Sequence, residues 1–401
     1  VCFKMPEQRS TASGRYLKQP TGYRAFIPEP LPPAEPVVFD SDLLQLLSDA
    51  DRALGRLDGV ATVLPNPDLF VAMYVRHEAV LSSQIEGTQS TLEDVLQYEA
   101  HPRGRRGPKD VEEVVNYVRA MNHGLRRLDT FPLSLRLLRE VHQELLQGVR
   151  GEHRNPGEFR SSQNWIGPEG CGLVEAEFIP PPPDEMSKAL GDLEKFLHTR
   201  GALPALAHCA YAHAQFETIH PFLDGNGRVG RLLITLLLCE REILQRPLLY
   251  LSVYFKAHRA QYYDRLQAIR HDGDWEGWLR FFLNGVAHVA RSASETARAI
   301  LRLREDHRAA VSSHATATKL LDVLFDRPVI SVRFAEAELG CSYTTAANVI
   351  SRLEDRGLLV EATGQRRNRL FRYGPYLDLF QQQLLPQDDE PPRTTESDRE
   401  E

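Results

Sequence analysis

His220-Pro-Phe-Leu-Asp-Gly-Asn-Gly-Arg-Val-Gly-Arg231 decides how the rest of this chain is read. Upstream, residues 204–219 have the composition of a helix. Downstream, Val229 to Cys239 has that of a second, strongly apolar one. Pro221 ends the first. Gly225 and Gly227 open backbone conformations closed to other residues, and Asn226 tolerates the left-handed region. The turn runs straight into a helix start, where backbone N–H groups form a concave anion site. Arg228 and Arg231 stand three apart on the first turn, so both guanidiniums reach toward that site. His220 adds a base beside it and Asp224 a carboxylate, a candidate metal ligand.

This stretch matches the signature H-x-F-x-[D/E]-G-N-G-R-x-x-R at every defined position, and on those residues the chain resembles the Fic family. Members mostly transfer AMP from ATP to a protein hydroxyl. The resemblance implies a mainly α fold: a helical core with a β-hairpin flap over the active site. It implies His220 as catalytic base and Asp224 as the Mg²⁺ ligand. Gly225, Asn226, Gly227, Arg228, Val229, Gly230 and Arg231 would bind the nucleotide. Backbone N–H groups of Gly225–Gly227 would face the α- and β-phosphates, and Arg228 and Arg231 would clamp the β- and γ-phosphates. The run Lys256-Ala-His-Arg-Ala-Gln-Tyr-Tyr263 is similar to one that lines the base in family members. His258, Tyr262 and Tyr263 are then base or ribose contacts, with core packing an equal reading for the two tyrosines. No G-x-x-x-x-G-K-[ST] loop occurs, so phosphoryl chemistry rests on 220–231.

Ser82-Ser-Gln-Ile-Glu86-Gly87 fits the family's inhibitory pattern [S/T]-x-x-x-E-[G/N]. In the family that glutamate pairs with the second motif arginine, here Arg231, and misaligns the γ-phosphate. The residues point the same way. Glu86 falls at the C-terminal end of a helix, where a carboxylate faces the negative end of the dipole at a cost of about 0.3–1 kcal/mol. A cationic partner would offset that. The expected activity is an autoinhibited protein adenylyltransferase acting on Tyr, Thr or Ser, itself included. Two alternatives stay open: removal of AMP with Glu86 as a catalytic group, and a nucleotide-binding regulator without transfer.

With 401 residues, two or three domains are expected. The net charge of −7 gives no global basic field, so any nucleic-acid contact has to be local. The five cysteines are scattered with no C-x-x-C pair, which suggests a reducing, cytoplasmic setting and no disulfide framework. The longest apolar run, Leu232 to Cys239, is too short to span a bilayer, and no membrane partner is expected. Val1 suggests an expression scar or an alternative start, with Met5 as a natural beginning.

Taken in order, residues 1–40 read as an extended arm. Residues 41–108 read as helices that include the inhibitory one: Ser41 and Asn66 are candidate caps, and Ser90 to Glu93 a capping box. His101 to Pro108 is a basic loop, either solvated or suited to an acidic partner or RNA. The catalytic domain is expected over 109–305. Within it, 151–183 reads as a hairpin-like excursion with Trp165, Ile166, Phe178 and Ile179 as flap side chains. His213, Glu217 and His220 have metal-ligand spacing, but the Gly-Asn-Gly nest predicts phosphate instead. Trp275 to Arg304 reads as two helices meeting at Val289.

The character changes near Ala309. Helices over His314 to Leu324, Val332 to Leu339 and Ser342 to Arg356 precede two short strands, Leu358 to Glu361 and Leu370 to Tyr373. This predicts a small winged-helix domain over 309–380, with Arg366, Arg367, Arg369 and Arg372 on the wing. DNA binding competes with protein contact or homodimerisation as its use. Residues 381–401 read as a disordered acidic tail.

Overall fold

Two helices buried on every side set the architecture. In Ala205–Ile219 every residue from Leu206 onward is buried, and Asn226–Glu240 is buried for most of its length. A helix buried all round lies in the core with other helices about it, and the polar side chains it carries need partners there. The computed structural model of the chain describes residues 11–62, 67–100, 110–168, 170–365 and 367–381. Among them the elements run β1 (Gly14–Lys18), β2 (Arg24–Pro28), α1 (Ser41–Thr62), α2 (Pro67–Ile85), α3 (Leu92–Ala100), α4 (Val111–Leu128) and α5 (Leu135–Leu145). Then come α6 (Pro183–His198), α7 (Ala205–Ile219), α8 (Asn226–Glu240), α9 (Ser252–Ala257), α10 (Arg259–Asp272) and α11 (Trp275–Val311). The C-terminal part holds α12 (Ala315–Leu324), β3 (Val329–Ser331), α13 (Val332–Leu339), α14 (Tyr343–Asp355), β4 (Leu359–Glu361), β5 (Leu370–Tyr373) and α15 (Gly374–Gln381). The expected Asn66 cap, the basic loop, Arg366, Met5 and the acidic tail beyond Gln381, which ends α15, lie outside the described residues.

The fold is mainly helical. α6, α10 and α11 pack against α7, while α2, α4 and α5 pack against α8. The α7–α8 connection is thereby held from both sides, with His220 closing one helix and Gly225 capping the other. α8 starts at Asn226, a turn earlier than the apolar run indicates. Asn226, Gly227 and Arg228 are thus first-turn helical residues rather than loop.

The caps differ from the sequence reading in two places. Asp40, not Ser41, closes α1, accepting from the Leu43 N–H at 2.8 Å. At α3, Thr91 and Asp94 form the reciprocal pair, while Ser90 is taken by Asp110. The N-terminal arm folds on itself: β1 pairs antiparallel with β2, and the Phe26 N–H donates to the Ile179 carbonyl at 2.9 Å, strapping the hairpin to 151–183. That excursion is less regular than a hairpin. Among the described residues it keeps one antiparallel bridge, Ile166 to Phe178, around a 3₁₀ turn at Leu173–Glu175. Pro168, the 180–183 proline run and the intervening glycines leave too few N–H groups and too little β preference for a longer ladder.

The break expected at Val289 is absent, and α11 is one helix of 37 residues. Its N-cap Asp274 accepts from the Gly277 N–H, and no proline interrupts it. It runs past the boundary expected near Ala309. Beyond it, β3, β5 and β4 form an antiparallel sheet in that order, β3 being a strand the sequence reading missed. α13 is capped by Ser331 and ends on left-handed Gly340; α14 is capped by Ser342. α15 returns to the main body, where Phe380 packs on Tyr74 and His77 of α2.

Gly230 lies where α8 passes α7. A Cβ there would collide with the Glu217 carboxyl and stand 3.2 Å from the Phe216 ring. Overpacking of this kind costs about 1–3 kcal/mol. Urea unfolding of Gly230→Ala should show a loss of that order. Combined with Glu217→Ala, it should cost less than the sum of the two single losses. Strict additivity would show that this contact is not the cause.

Candidate active site

The site is built where α7 ends and α8 begins. His220 takes the left-handed conformation, φ 50° and ψ 60°. A non-glycine residue holds such a conformation only where its surroundings impose it. Here they do. Arg160, itself buried, donates to the His220 carbonyl at 2.9 Å, and also to the carbonyls of Ile219, Pro181 and Ser162. Asn164 donates to the carbonyls of His220 at 3.2 Å and Phe222 at 2.9 Å. These bonds satisfy carbonyls that a helix C-terminus leaves unpaired. Asn226 closes the turn, accepting from the Phe222 N–H and donating to its carbonyl, both at 2.8 Å. Beneath the turn, His142 of α5 stacks on Phe222, ring centroids 3.7 Å apart, and contacts the Asp224 carbonyl at 3.0 Å.

The first intrahelical bond of α8 joins the Val229 N–H to the Gly225 carbonyl at 3.0 Å. The N–H groups before it lack an intrahelical partner, so the positive end of α8 faces outward at Asn226–Arg228. A carboxylate sits there. Glu86, one residue past the end of α2, lies so close over Gly227 that a Cβ at 227 would collide with its Oε1. Arg231 donates to Glu86 at 2.6 Å, to the Ser82 hydroxyl at 2.8 Å and to the Ser82 carbonyl at 2.9 Å. The carboxylate that is badly placed at the end of α2 is well placed at the start of α8. Burial works to raise the Glu86 carboxyl, but Arg231, and then Arg228, more than offset it and hold it below its ordinary range.

Arg228 is turned elsewhere. It is buried and donates to Glu113 of α4 at 3.1 Å and to Asp224 at 3.4 Å. Glu113 also meets Arg150 at 3.6 Å. The two arginines of the first turn therefore have separate partners: Arg231 the α2 carboxylate, Arg228 the acids beneath the turn. Val229 lies in the core with its N–H spent inside the helix, and Gly230 packs on Glu217, its carbonyl bonded to His213. The structure places these two in the helix packing.

The His220 ring is half-buried. Its Nδ1 is buried without a hydrogen-bond partner among the described residues; the Glu217 backbone is near enough to act on its charge without closing a bond. Burial, then Arg270 and Arg160, push its pKa down to about 3, so the imidazole is neutral. His213 is a core bridge: it contacts the Gly230 carbonyl and the Tyr262 hydroxyl, at 2.8 and 2.9 Å. Burial raises the Glu217 carboxyl to about 7. Tyr262 is buried, whereas Tyr263 is partly exposed under Arg259. His258 joins α9 to α10 and packs on Tyr254 at 4.4 Å; no hydrogen bond or ring contact among the described residues brings it to 220–231. Of the flap side chains, Trp165 is exposed, while Phe178 and Ile179 are core residues.

No cluster of three or more His, Cys, Asp or Glu side chains suited to a metal occurs among the described residues. Asp224 offers a carboxylate, about one-third exposed, that is not taken up by Arg231 as Glu86 is. Its Oδ2 faces Gly151, where a Cβ would come within 3.0 Å. One open carboxylate, with the other oxygens supplied by phosphates and water, is the donor set Mg²⁺ takes in nucleotide sites, so the residues fit that ion.

Arg160, Asn164, His142 and Glu113 were not singled out by the sequence. Glu113 left a signal, being a carboxylate on the buried face that α4 shares with Val114, Tyr117 and Met121. His142 likewise lies on the buried face of α5 with Leu138 and Leu145, while Arg160 and Asn164 act from an irregular segment through distant backbone carbonyls and leave no periodic trace.

Residues 44–126 match the model of the Fic/DOC family N-terminal region, and residues 132–238 match that of the Fic/DOC family. The chain is 32% identical over 151 residues to protein adenylyltransferase Fic of Aedes aegypti, a stretch covering 37% of this chain and 27% of that protein. The same identity and coverage hold for the protein of that name from Culex quinquefasciatus. The chain thus aligns with only about a quarter of the length of these curated relatives. The crystal structure of a Fic family protein from Desulfovibrio desulfuricans G20 superposes with a TM-score of 0.55 at 21% identity, over 84% of this chain and 97% of that one. That likeness shows the fold.

The Glu86–Arg231 pair has a pH signature. The folded pKa of Glu86 lies below its ordinary value of 4.5. Its ionisation therefore adds stability that is fully present above that value and is lost as pH falls through the lowered one. Glu86→Gln should cost about 1.5–3 kcal/mol at neutral pH, the order for a hydrogen bond to a charged group. The difference from wild type should shrink toward zero on acidification. A difference that stays constant down to acid unfolding would contradict the pairing.

Proposed function

We propose that this chain, whose residues 44–126 and 132–238 match the Fic/DOC N-terminal and Fic/DOC family models, is an adenylyltransferase that moves AMP from ATP to a Tyr, Thr or Ser hydroxyl of a protein, and is held back by Glu86. The observation that carries this reading is the carboxylate over the first turn of α8, salt-bridged to a buried arginine. A site that holds an internal anion on helix N–H groups and a guanidinium is one a phosphate would take. The relatives' name, protein adenylyltransferase, supports the same reaction.

In this mechanism the triphosphate lies along the start of α8. With Nδ1 of His220 buried, Nε2 is the nitrogen that takes the proton of the incoming hydroxyl. The hydroxyl oxygen forms a bond to the α-phosphorus, the bond from α-phosphorus to the bridging oxygen breaks, and pyrophosphate leaves. Negative charge from bound phosphates offsets Arg160 and Arg270 and raises the His220 pKa toward a useful range. Asp224 would hold Mg²⁺, which supplies positive charge to the phosphate oxygens. N–H groups at the start of α8 receive the α- and β-phosphates. Arg228 supports the β-phosphate from beneath, and Arg231 clamps the γ-phosphate once Glu86 has left it.

Two further readings belong with this one. The C-terminal unit, with α12 to α14 and its sheet, is read as a winged helix whose partner is DNA, another protein or a second copy. No helix among the described residues is long and apolar enough to cross a membrane. A cytoplasmic setting is proposed from the unpaired cysteines.

The test is initial AMP incorporation from labelled ATP. Glu86→Gly should raise it by roughly tenfold or more if the block is worth about 1.4 kcal/mol. His220→Ala should abolish it while nucleotide still binds. Arg231→Ala should not rescue it, because clamp and lock go together. No gain in Glu86→Gly removes Glu86 as inhibitor. If that variant instead fails to release AMP from a premodified protein that wild type clears, removal is the better reading.

A further inference from the structure

We propose that His142, on α5 and outside the 220–231 stretch, is the positioning residue for Asp224: its ring is a fixed donor that sets the backbone from which the Asp224 carboxylate faces the nucleotide. This rests on the reading of Asp224 as the carboxylate that receives the metal.

The geometry determines the proton. The Gly157 N–H points at His142 Nδ1 at 2.8 Å, and a backbone N–H only donates, so Nδ1 accepts. The other nitrogen, Nε2, faces the Asp224 carbonyl at 3.0 Å, and a carbonyl only accepts, so Nε2 carries the hydrogen. One tautomer satisfies both. A second proton on Nδ1 would set N–H against N–H. The ring is fully buried, and its face lies 9° from parallel with Phe222. It therefore has no freedom to turn.

Three parts of the site meet on this ring. The Gly157 bond ties it to the segment leading to Arg160, which holds the His220 carbonyl. The stack ties it to Phe222, which Asn226 clasps. The Nε2 bond ties it to Asp224, whose carboxylate is otherwise held by Arg228. His142 is the link in this chain that touches the Asp224 backbone. It touches no atom that reacts.

Phe and Gln separate its two roles. His142→Phe keeps the stacking ring and removes both hydrogen bonds. His142→Gln offers an acceptor and a donor again. ATP binding is measured by calorimetry on the full chain carrying Glu86→Gly, with Mg²⁺ titrated in and, separately, with EDTA. Removing a group that orients a metal ligand typically costs about 10–100-fold in metal affinity, so the Mg²⁺ half-saturation should rise by that order in the Phe variant and return to within about threefold in the Gln variant. Affinity in EDTA should not change, because the metal-free complex does not use Asp224. A fall in both affinities together would mean general damage, and unchanged Mg²⁺ dependence would leave His142 a core ring; either result overturns the proposal. Absence of any Mg²⁺ effect in the parent protein would sink the reading of Asp224 itself. If the Phe variant fails to fold, ¹⁵N spectra of histidine-labelled wild type at neutral pH decide. The Nε2-protonated neutral tautomer is expected, and an Nδ1-protonated or imidazolium His142 would overturn the proposal.

Discussion

A buried guanidinium at the positive end of a buried helix cannot stand without an anion, and that constraint governs this molecule. Arg231 is almost wholly enclosed, and the first turn of α8 points its unpaired N–H groups at the same spot. An unpaired charge in such a place costs several kcal/mol. The chain answers with Glu86, which the end of α2 disfavours and the start of α8 favours. The requirement is for negative charge and not for a particular residue. A phosphate would meet it as well as a carboxylate, so under the proposed reading resting and working states would compete for one anion position. In this account inhibition is a property of the site's electrostatics, not an added device.

The competition has meaning only if the rest of the site stays fixed, and the turn between α7 and α8 shows how that is achieved. His220 in a left-handed conformation would relax if its carbonyl were unpaired. Arg160 and Asn164 hold that carbonyl, and Asn226 and His142 hold the next residues of the turn. Each uses backbone atoms of the turn, so the arrangement does not depend on what binds. Preorganised donors of this kind cost no reorganisation when charge develops on the substrate. α2 is held by other means. Its Glu78 accepts from Tyr117 of α4 and from Ser252, so the helix leading to Glu86 is anchored a short way back from that residue.

The sequence made the centre of the site legible because it is local. Twelve consecutive residues hold the helix end, the turn, the first turn of α8 and both arginines. Of the C-terminal elements, α12 to α14, β4 and β5 were legible for a similar reason, whereas β3 and α15 were not. Ser331 and Ser342 are caps, and Gly340 is a left-handed stop, each readable from neighbouring residues. What was not legible depends on distance along the chain. Glu113 lies 115 residues from Arg228, His142 lies 82 from Asp224, and Arg160 lies 60 from His220. Helical periodicity says that a position is buried, not what it meets. The shift in the start of α8 has a different cause: Gly-Asn-Gly has turn composition, yet only Gly225 takes the left-handed turn conformation, while the Asn226 side chain closes the turn onto Phe222 and the Gly225 carbonyl receives the first intrahelical bond. The flap was read as a hairpin because its glycines and aromatics suggest one. Its prolines restrict it to a single bridge.

The central claim is that Glu86 and the terminal phosphate of the nucleotide compete for Arg231. Calorimetric affinities for ATP and ADP, in wild type and in Glu86→Gly under the same salt and magnesium, test it most directly. ADP lacks the phosphate that Arg231 would hold. With the arginine engaged by Glu86, wild type should bind the two nucleotides about equally. With the carboxylate gone, ATP should bind tighter than ADP by roughly tenfold, which corresponds to about 1.4 kcal/mol for one charge-assisted contact. An ATP-to-ADP preference that is the same in both proteins would contradict the account.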